Sequence, residues 1–467
     1  MSYPPTGSVC ANPSASLPEA GPNGSRAHTL DGVNHSQPVE QADPQARSHA
    51  HPQARAGADG PVAEGGFEAR ELRARVGVYE AELIEFRRDL HRHPELGRQE
   101  LRTTGLLRER LERAGLRPRV LPGGTGLIVD LVPPAAPPGA PLLAFRADID
   151  ALPIDDAKSD VPYRSTVPGR AHACGHDVHT SIVLGTALVL AEALRAGRLR
   201  RPVRLIFQPA EEVMPGGALD VIKAGGMEGV GRIFAVHCDP KVEVGRVGLK
   251  VGAITSACDR LVLELDGPGG HTARPHLTTD LVTAIARLAA DLPGAFARRM
   301  DPRWGVSLVW GRIASGSAPN VIPQHAELEG TVRCLELPGW REAPDVLHEL
   351  IAKMAETHRA KWTLDYHRGV PPVVNEVLSI AQLETAMERQ FGGAGRQVVE
   401  ETEQSLGGED FSWYLEHAPG ALARLGVRAP DETAVRDLHQ GRFDVDERAI
   451  AVGVELFASL ALEHAVI

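Results

Sequence analysis

An α/β architecture, with a mixed and largely parallel sheet, helices on both faces and an inserted βαββαβ lid, is the fold class that the sequence predicts. Three observations predict it. Short β-rich runs alternate with helical patterns through the first ordered stretch. Polar residues fall just past the carboxyl ends of those runs, where open α/β sheets bind ligands. The texture changes near Ser256 and the first pattern resumes at Ser405-Leu406-Gly407-Gly408-Glu409-Asp410-Phe411 and Leu438-His439, which makes the intervening stretch an insertion.

The first 75 residues are rich in Pro, Gly, Ala, Ser and His, with almost no aliphatic clusters. Such a segment cannot bury enough surface to offset its ordering entropy and reads as a disordered tail. Its histidines, His28, His35, His49 and His51, are its only hint of chemistry. Order is expected from near Val78, where Tyr79, Leu83, Phe86 and Leu90 line one face of a helix that Pro94 halts. Strands follow at 126–131, 142–146, 203–207 and 233–236, with a helix carrying Val183, Ala187, Leu190 and Leu194 between the second and third. From Ser256 the order is a strand (261–265), a helix with Leu281, Ile285, Leu288 and Leu292 on one face, two strands (306–313 and 326–334), a helix (345–359) and a strand (362–366). This is the split-βαβ, ferredoxin-like arrangement. The expected organisation is a tail over 1–75, a catalytic domain over 76–254 and 369–467, and a lid or dimerisation domain over 255–368.

Composition narrows the functions. A net charge of −11 opposes a general affinity for nucleic acid, and a small-molecule partner becomes the default. Five cysteines, at positions 10, 174, 238, 258 and 334, make no disulfide framework in a chain this long, which suggests a reducing cytoplasm. No apolar run approaches the roughly 20 residues of a membrane span, and no secretory signal is recognisable. The expectation is a soluble intracellular protein, without membrane partners.

The chemistry concentrates in Ala171-His172-Ala173-Cys174-Gly175-His176-Asp177, in Gln208-Pro209-Ala210-Glu211-Glu212, and in His237 and His439. Together they read as a dinuclear metal site built for hydrolysis, in which two cations lower the pKa of a shared water. Cys174 and His176, one glycine apart, can face the same cavity from a tight turn, although a buried structural cysteine would look the same. His172, Asp177 and His179 could orient ligating groups or be bystanders. Glu211 and Glu212 alone would read as a solvated helix start; beside other ligands they divide into a metal ligand and a general base. Nothing in the spacing says which is which, or singles out His237 and His439 from ordinary core histidines.

Nine ordered stretches supply a further identification: RRDLHRHPELG from Arg87, FRADIDALPI from Phe145, HACGHDVHT from His172, QPAEE from Gln208, AVHCDP from Ala235, GGHTARPH from Gly269, APNVIP from Ala318, GGEDF from Gly407 and LHQGRF from Leu438. With these the chain resembles the M20 metallopeptidase family, within it the aminoacylase, hippurate hydrolase and indole-acetyl amino-acid hydrolase branch. The resemblance implies two divalent ions held by Cys174, His176, Glu212, His237 and His439, the thiolate bridging, with Glu211 acting on the water. It implies that His271, on a flexible lid turn, stabilises an oxyanion, in relatives often in the partner subunit's site, which makes a homodimer through the lid. Asn320 and Arg333 match residues that bind a substrate carboxylate. Arg146 stands where peptidase relatives place a ligand histidine, and a guanidinium cannot bind a cation, which favours the Cys-containing branch. Asp148 and Asp150 are then supporting carboxylates, Glu409 and Asp410 shape the pocket floor, and His91 and His93 support the fold. Met214, Met227 and Leu406 suggest an apolar acyl pocket.

The expected activity is metal-dependent hydrolysis of N-acyl amino acids to a carboxylic acid and a free amino acid. A dipeptidase in the same fold and a silent relative that only binds are the alternatives. The thiolate favours Zn(II), with Mn(II), Co(II) or Ni(II) as the other choices.

Overall fold

A computed structural model describes residues 68–392, 397–432 and 434–463. The tail's four histidines lie outside the described residues. The first helix starts at Ala69 and runs to Arg92, so the last residues of the stretch read as tail are helical. Leu72 and Val76 explain the earlier start, because they are buried on the same helical face as Leu83 and Leu90.

The main sheet has eight strands, in the order Arg119–Val120, Leu127–Leu131, Val203–Gln208, Leu142–Asp148, Val230–Glu243, Gly420–Arg428, Val247–Leu249 and Val399–Glu401. The four contacts joining Val203–Gln208, Leu142–Asp148, Val230–Glu243 and Gly420–Arg428, and Val399–Glu401 to Val247–Leu249, are parallel. Both faces are covered, which is why these strands read as nearly continuous apolar runs. Phe145, Leu205 and Phe207 pack on one side with the helices Ala69–Arg92, Leu101–Arg113, His176–Arg195, Val377–Phe391 and Arg448–Leu462. Ala144, Ile206 and Leu422 face the other, with Val221, Phe411 and Tyr414.

The helix His176–Arg195 is long and apolar enough to cross a membrane, a match the sequence reading passed over. Its apolar window is 89% buried, so its composition is explained by packing inside the core.

The insertion forms a second, four-stranded sheet in the order Ser307–Ser315, His325–Arg333, Cys258–Asp266 and Lys361–Val370, antiparallel throughout. Its core unites Leu261, Leu263 and Leu265 with Ile285, Leu288, Leu292, Leu347 and Ile351 from the helices Leu281–Arg299 and Leu337–Thr357. The second helix starts eight residues before the expected position 345 and passes through Pro344. Proline deprives the carbonyl four residues back of its donor. Here Arg368 Nη1 donates to that carbonyl, Trp340 O, at 2.5 Å. Trp310 Nε1 serves Ala289 O in the same way at 3.1 Å, opposite Pro293 in the other helix. Donors from elsewhere in the fold thus let both helices continue through proline.

Candidate metal centre

The turn that carries Cys174 and His176 depends on Gly175, which has φ +86°. A Cβ there would sit 2.7 Å from Cys238 Sγ, so only glycine allows the chain to turn into the helix this close to the neighbouring strand. His176 begins the buried helix, and its Nδ1 meets Asp150 O at 3.0 Å. That contact places the proton on Nδ1 and leaves Nε2 as a lone-pair donor, which is buried and has no hydrogen-bond partner. His237 is arranged alike, with Nδ1 2.9 Å from Cys238 O and Nε2 3.4 Å from Cys174 Sγ.

His237 lies within a strand that runs to Glu243, rather than following one as the sequence suggested. Its neighbour Leu142–Asp148 pairs with that strand only as far as Ala235, so His237 is unpaired on that side, while on the other side it pairs in parallel with Gly420–Arg428.

Glu211 and Glu212 follow the strand Val203–Gln208 in a turn. Asp150 fixes it, accepting Glu211 N at 3.1 Å and Glu212 N at 3.0 Å. Ala210, just ahead, has φ +55°, a strained value for a residue with a Cβ. Its N–H donates to Glu100 Oε1 at 2.7 Å. His439, also left-handed at φ +59°, is tied in by its N–H to Ala173 O at 2.8 Å.

The five expected ligands converge. Ligand atoms of Cys174, His176 and His237 all lie within 4.8 Å of one another, as do those of Cys174, Glu212 and His439. Cys174 belongs to both groups. His176 also groups with Glu211 and Glu212, its Nε2 3.9 Å from a carboxylate oxygen of each. Sulfur, imidazole and carboxylate donors with unpartnered atoms, at His176 Nε2 and Glu212 Oε1, form a set that fits divalent transition metals.

His179 is geometrically near but already satisfied: Nδ1 meets Asp148 Oδ1 at 2.7 Å and Nε2 accepts Cys238 N at 2.9 Å. His172 is buried with neither nitrogen partnered, and burial pushes its pKa down to about 4, which keeps it neutral. His91 pairs with Asp177 at 2.7 Å, and Arg87 meets the same carboxylate at 2.8 Å, so a buried ionic cluster braces the start of the helix His176–Arg195.

Under the site lies a second cluster. Buried Arg146 donates to Gln208 at 2.9 Å, Asp148 at 2.6 Å, Glu409 at 3.0 Å and Asp410 at 2.6 Å. Burial first, then the charges of Glu409, Glu212 and Asp410, push the Glu211 carboxyl well above the usual range, with Arg146 opposing. Burial and the carboxylates of Glu212 and Glu211 push the Cys174 thiol up. Such an acidic cavity suits cations.

The other expected site residues stand apart from the five ligands. His271 and Asn320 meet on the lid, where His271 pairs in register with Val321 and Thr272 N donates to Asn320 O at 3.2 Å. Arg333, at the root of the lid, donates to Leu406 O and approaches Ser256 Oγ at 3.5 Å. Among the described residues, no hydrogen bond or ion pair links these three to the ligand cluster. Met227 packs with Ile128 and Ile206 under the sheet, so the apolar trio expected with Met214 and Leu406 does not form one wall.

Glu100 was missed, since an acidic residue ahead of a helix carries no distinguishing signal. Burial, with Asp150 nearby, pushes its carboxyl up to about 7. A raised acid pKa means that the folded state holds the proton longer than the unfolded state. Stability from this group is therefore lost as pH rises from about 4.5 to about 7 and is flat above. Glu100→Gln keeps an oxygen for Ala210 N–H, and by urea denaturation it should remove up to about 3 kcal/mol of that pH dependence. Identical pH profiles for both proteins would contradict this.

The pattern of peptidase family M20/M25/M40 matches residues 144–463. The chain belongs to that family. It is accordingly an enzyme, a metal-dependent amidohydrolase of M20 type. The M20 chain is 46% identical over 382 residues to the putative glutamate–cysteine ligase 2-3 of Rhodococcus jostii, covering 82% of this chain but only 46% of that protein. It thus spans about half the length of that relative. It is 35% identical over 375 residues to the N-acetyl-L-cysteine deacetylase of Bacillus subtilis, covering 80% of this chain and 86% of the relative. Among solved structures, it resembles the Bacillus subtilis YxeP protein, a dinuclear metal-binding peptidase of the M20 family, with TM-score 0.70 and 33% identity over 83% of this chain and 98% of that one.

Proposed function

We propose that this M20 enzyme hydrolyses the amide bond of N-acyl amino acids and releases a carboxylic acid and a free amino acid. The observation that carries the proposal is the convergence of Cys174 with His176 and His237, and with Glu212 and His439, in two donor groups that fit divalent cations. Cys174, His176, Glu212, His237 and His439 would hold them, with Zn(II) favoured by the thiolate. When bound, the ions supply Lewis acidity and offset the carboxylates around Glu211.

The chain's own groups do the rest. Glu211, held by the Asp150 contact to its N–H, takes the proton of the attacking water and passes it to the leaving nitrogen. His271 accepts Ala273 N–H on Nδ1 at 3.0 Å, which leaves its proton on Nε2, available to the developing oxyanion. It reaches the reaction centre in a homodimer built through the lid, and Asn320 joins it there. The deacetylase named above, whose name gives an N-acyl amino acid as its substrate, supports this reading.

The test is a set of N-acyl amino acids and dipeptides with free amino termini, assayed after chelation and after return of single metals. Chelation should abolish release of the amino acid from the N-acyl set, and Zn(II) or Mn(II) should restore it. Hydrolysis of the dipeptides alone, or activity indifferent to chelation, overturns the proposal.

A further inference from the structure

Beside the metal centre opens a pocket of about 500 Å³, lined by Cys238 to Val242, residues 400–406, Arg424, Asp437 and Leu438. It adjoins the site directly, since Cys238 and Leu438 are the chain neighbours of His237 and His439. Its buried end carries Arg424, which is 6% exposed.

Arg424 stands in the strand Gly420–Arg428, within the apolar run Ala421-Leu422-Ala423 and Leu425. It pairs in register with His237 on one side and Gly248 on the other. Residues opposite each other on adjacent strands project to the same face, so the guanidinium shares its face with a metal-centre imidazole. Gly248 gives it room, because a Cβ there would lie 2.8 Å from Thr402 Cβ and 3.2 Å from Arg424 Cβ.

The guanidinium makes no hydrogen bond or ion pair among the described residues. Buried arginines elsewhere in the fold do: Arg87, Arg146 and Arg204 each meet carboxylates. Asp239 and Glu409 act on Arg424 only from a distance, and burial depresses its pKa. The pocket's acids are partly engaged, Glu400 with Arg246 at 3.6 Å and Glu401 with Lys250 at 3.9 Å. A buried guanidinium without a counter-charge is costly, and its planar fork matches a carboxylate.

We propose that Arg424 is a specificity-determining residue that binds a carboxylate of the substrate in this pocket. This rests on the amide hydrolysis proposed above. The carboxylate is either that of the amino acid released or one borne by the acyl group.

Three substrates separate the sources: an N-acetyl amino acid, the same compound with its carboxylate converted to a primary amide, and that amide carrying an N-succinyl group in place of acetyl. For whichever carboxylated substrate the wild type prefers over the neutral one, Arg424→Met should raise KM about 30- to 100-fold, the scale of a charged hydrogen-bonded contact. Activity on the neutral compound should change less than about twofold, and Arg424→Lys should lose about tenfold on the preferred one. Because the preference is a ratio measured on one preparation, partial misfolding of a variant cancels.

An undiminished preference for the carboxylated substrate in Arg424→Met overturns the inference alone, as does an equal loss on all three. A wild-type protein that cleaves none of them overturns the amide-hydrolase reading, and this inference with it.

Discussion

Replacing Glu211 by Gln is expected to lower kcat on an N-acyl amino acid by about 10²–10⁴-fold, the range supplied by a positioned general base. The change is isosteric, and the main-chain contact of residue 211 with Asp150 does not involve the side chain. Metal content, measured by elemental analysis, should therefore stay at the wild-type value while turnover falls. Glu212→Gln should behave in the opposite order, losing metal first, because Glu212 Oε1 lies 3.4 Å from His439 Nε2 in a ligand group that includes Cys174. Comparable turnover by wild type and Glu211→Gln would assign the proton transfer elsewhere.

Arg146→Met should cost about 3–5 kcal/mol of unfolding free energy near neutral pH, the usual price of leaving a buried charge without its partner. Asp148, Glu409 and Asp410 all meet this one guanidinium, so its loss leaves three buried carboxyls in mutual repulsion. Burial already holds Asp410 up at about 7 with Arg146 present. Without it the carboxyls take up protons more readily, and the deficit should shrink as pH falls from 7 towards 5. Urea denaturation at the two pH values measures this. A loss below about 1 kcal/mol at pH 7 would show that the cluster contributes little beyond what methionine packing provides.

The parts of this architecture that announce themselves in sequence are those governed by local periodicity. The lid is an example: its alternating strands and its amphipathic helix Leu281–Arg299 follow from side-chain spacing, and they assemble in the expected antiparallel sheet. Its other helix was placed too late because Pro344 reads as a boundary, and the donor that removes the penalty, Arg368, comes from a strand 24 residues further on. The start at Ala69 was obscured by the low-complexity stretch before it.

In the candidate metal centre, the closeness of Cys174 and His176 on one turn was legible from their motif. His237 and His439 required the family resemblance, since their contact with Cys174 is created by tertiary structure alone. Asp150 and Glu100 act on backbone amides of a turn, which no side-chain pattern reveals. Arg424 did leave a trace, as a cation flanked by apolar residues inside a strand, and its place beside His237 appears only when the strand is seen paired.

The strand Gly420–Arg428 comes long after both of its neighbours in the sequence, yet it lies inside the sheet, bonded to Val230–Glu243 on one side and Val247–Leu249 on the other. Without Gly420–Arg428 those two strands lack the neighbour that joins them, and the stretch that follows it carries His439. Long-range closure of this kind slows folding, and it makes the docking of residues 420–439 the event that both joins the sheet and brings the candidate ligands together.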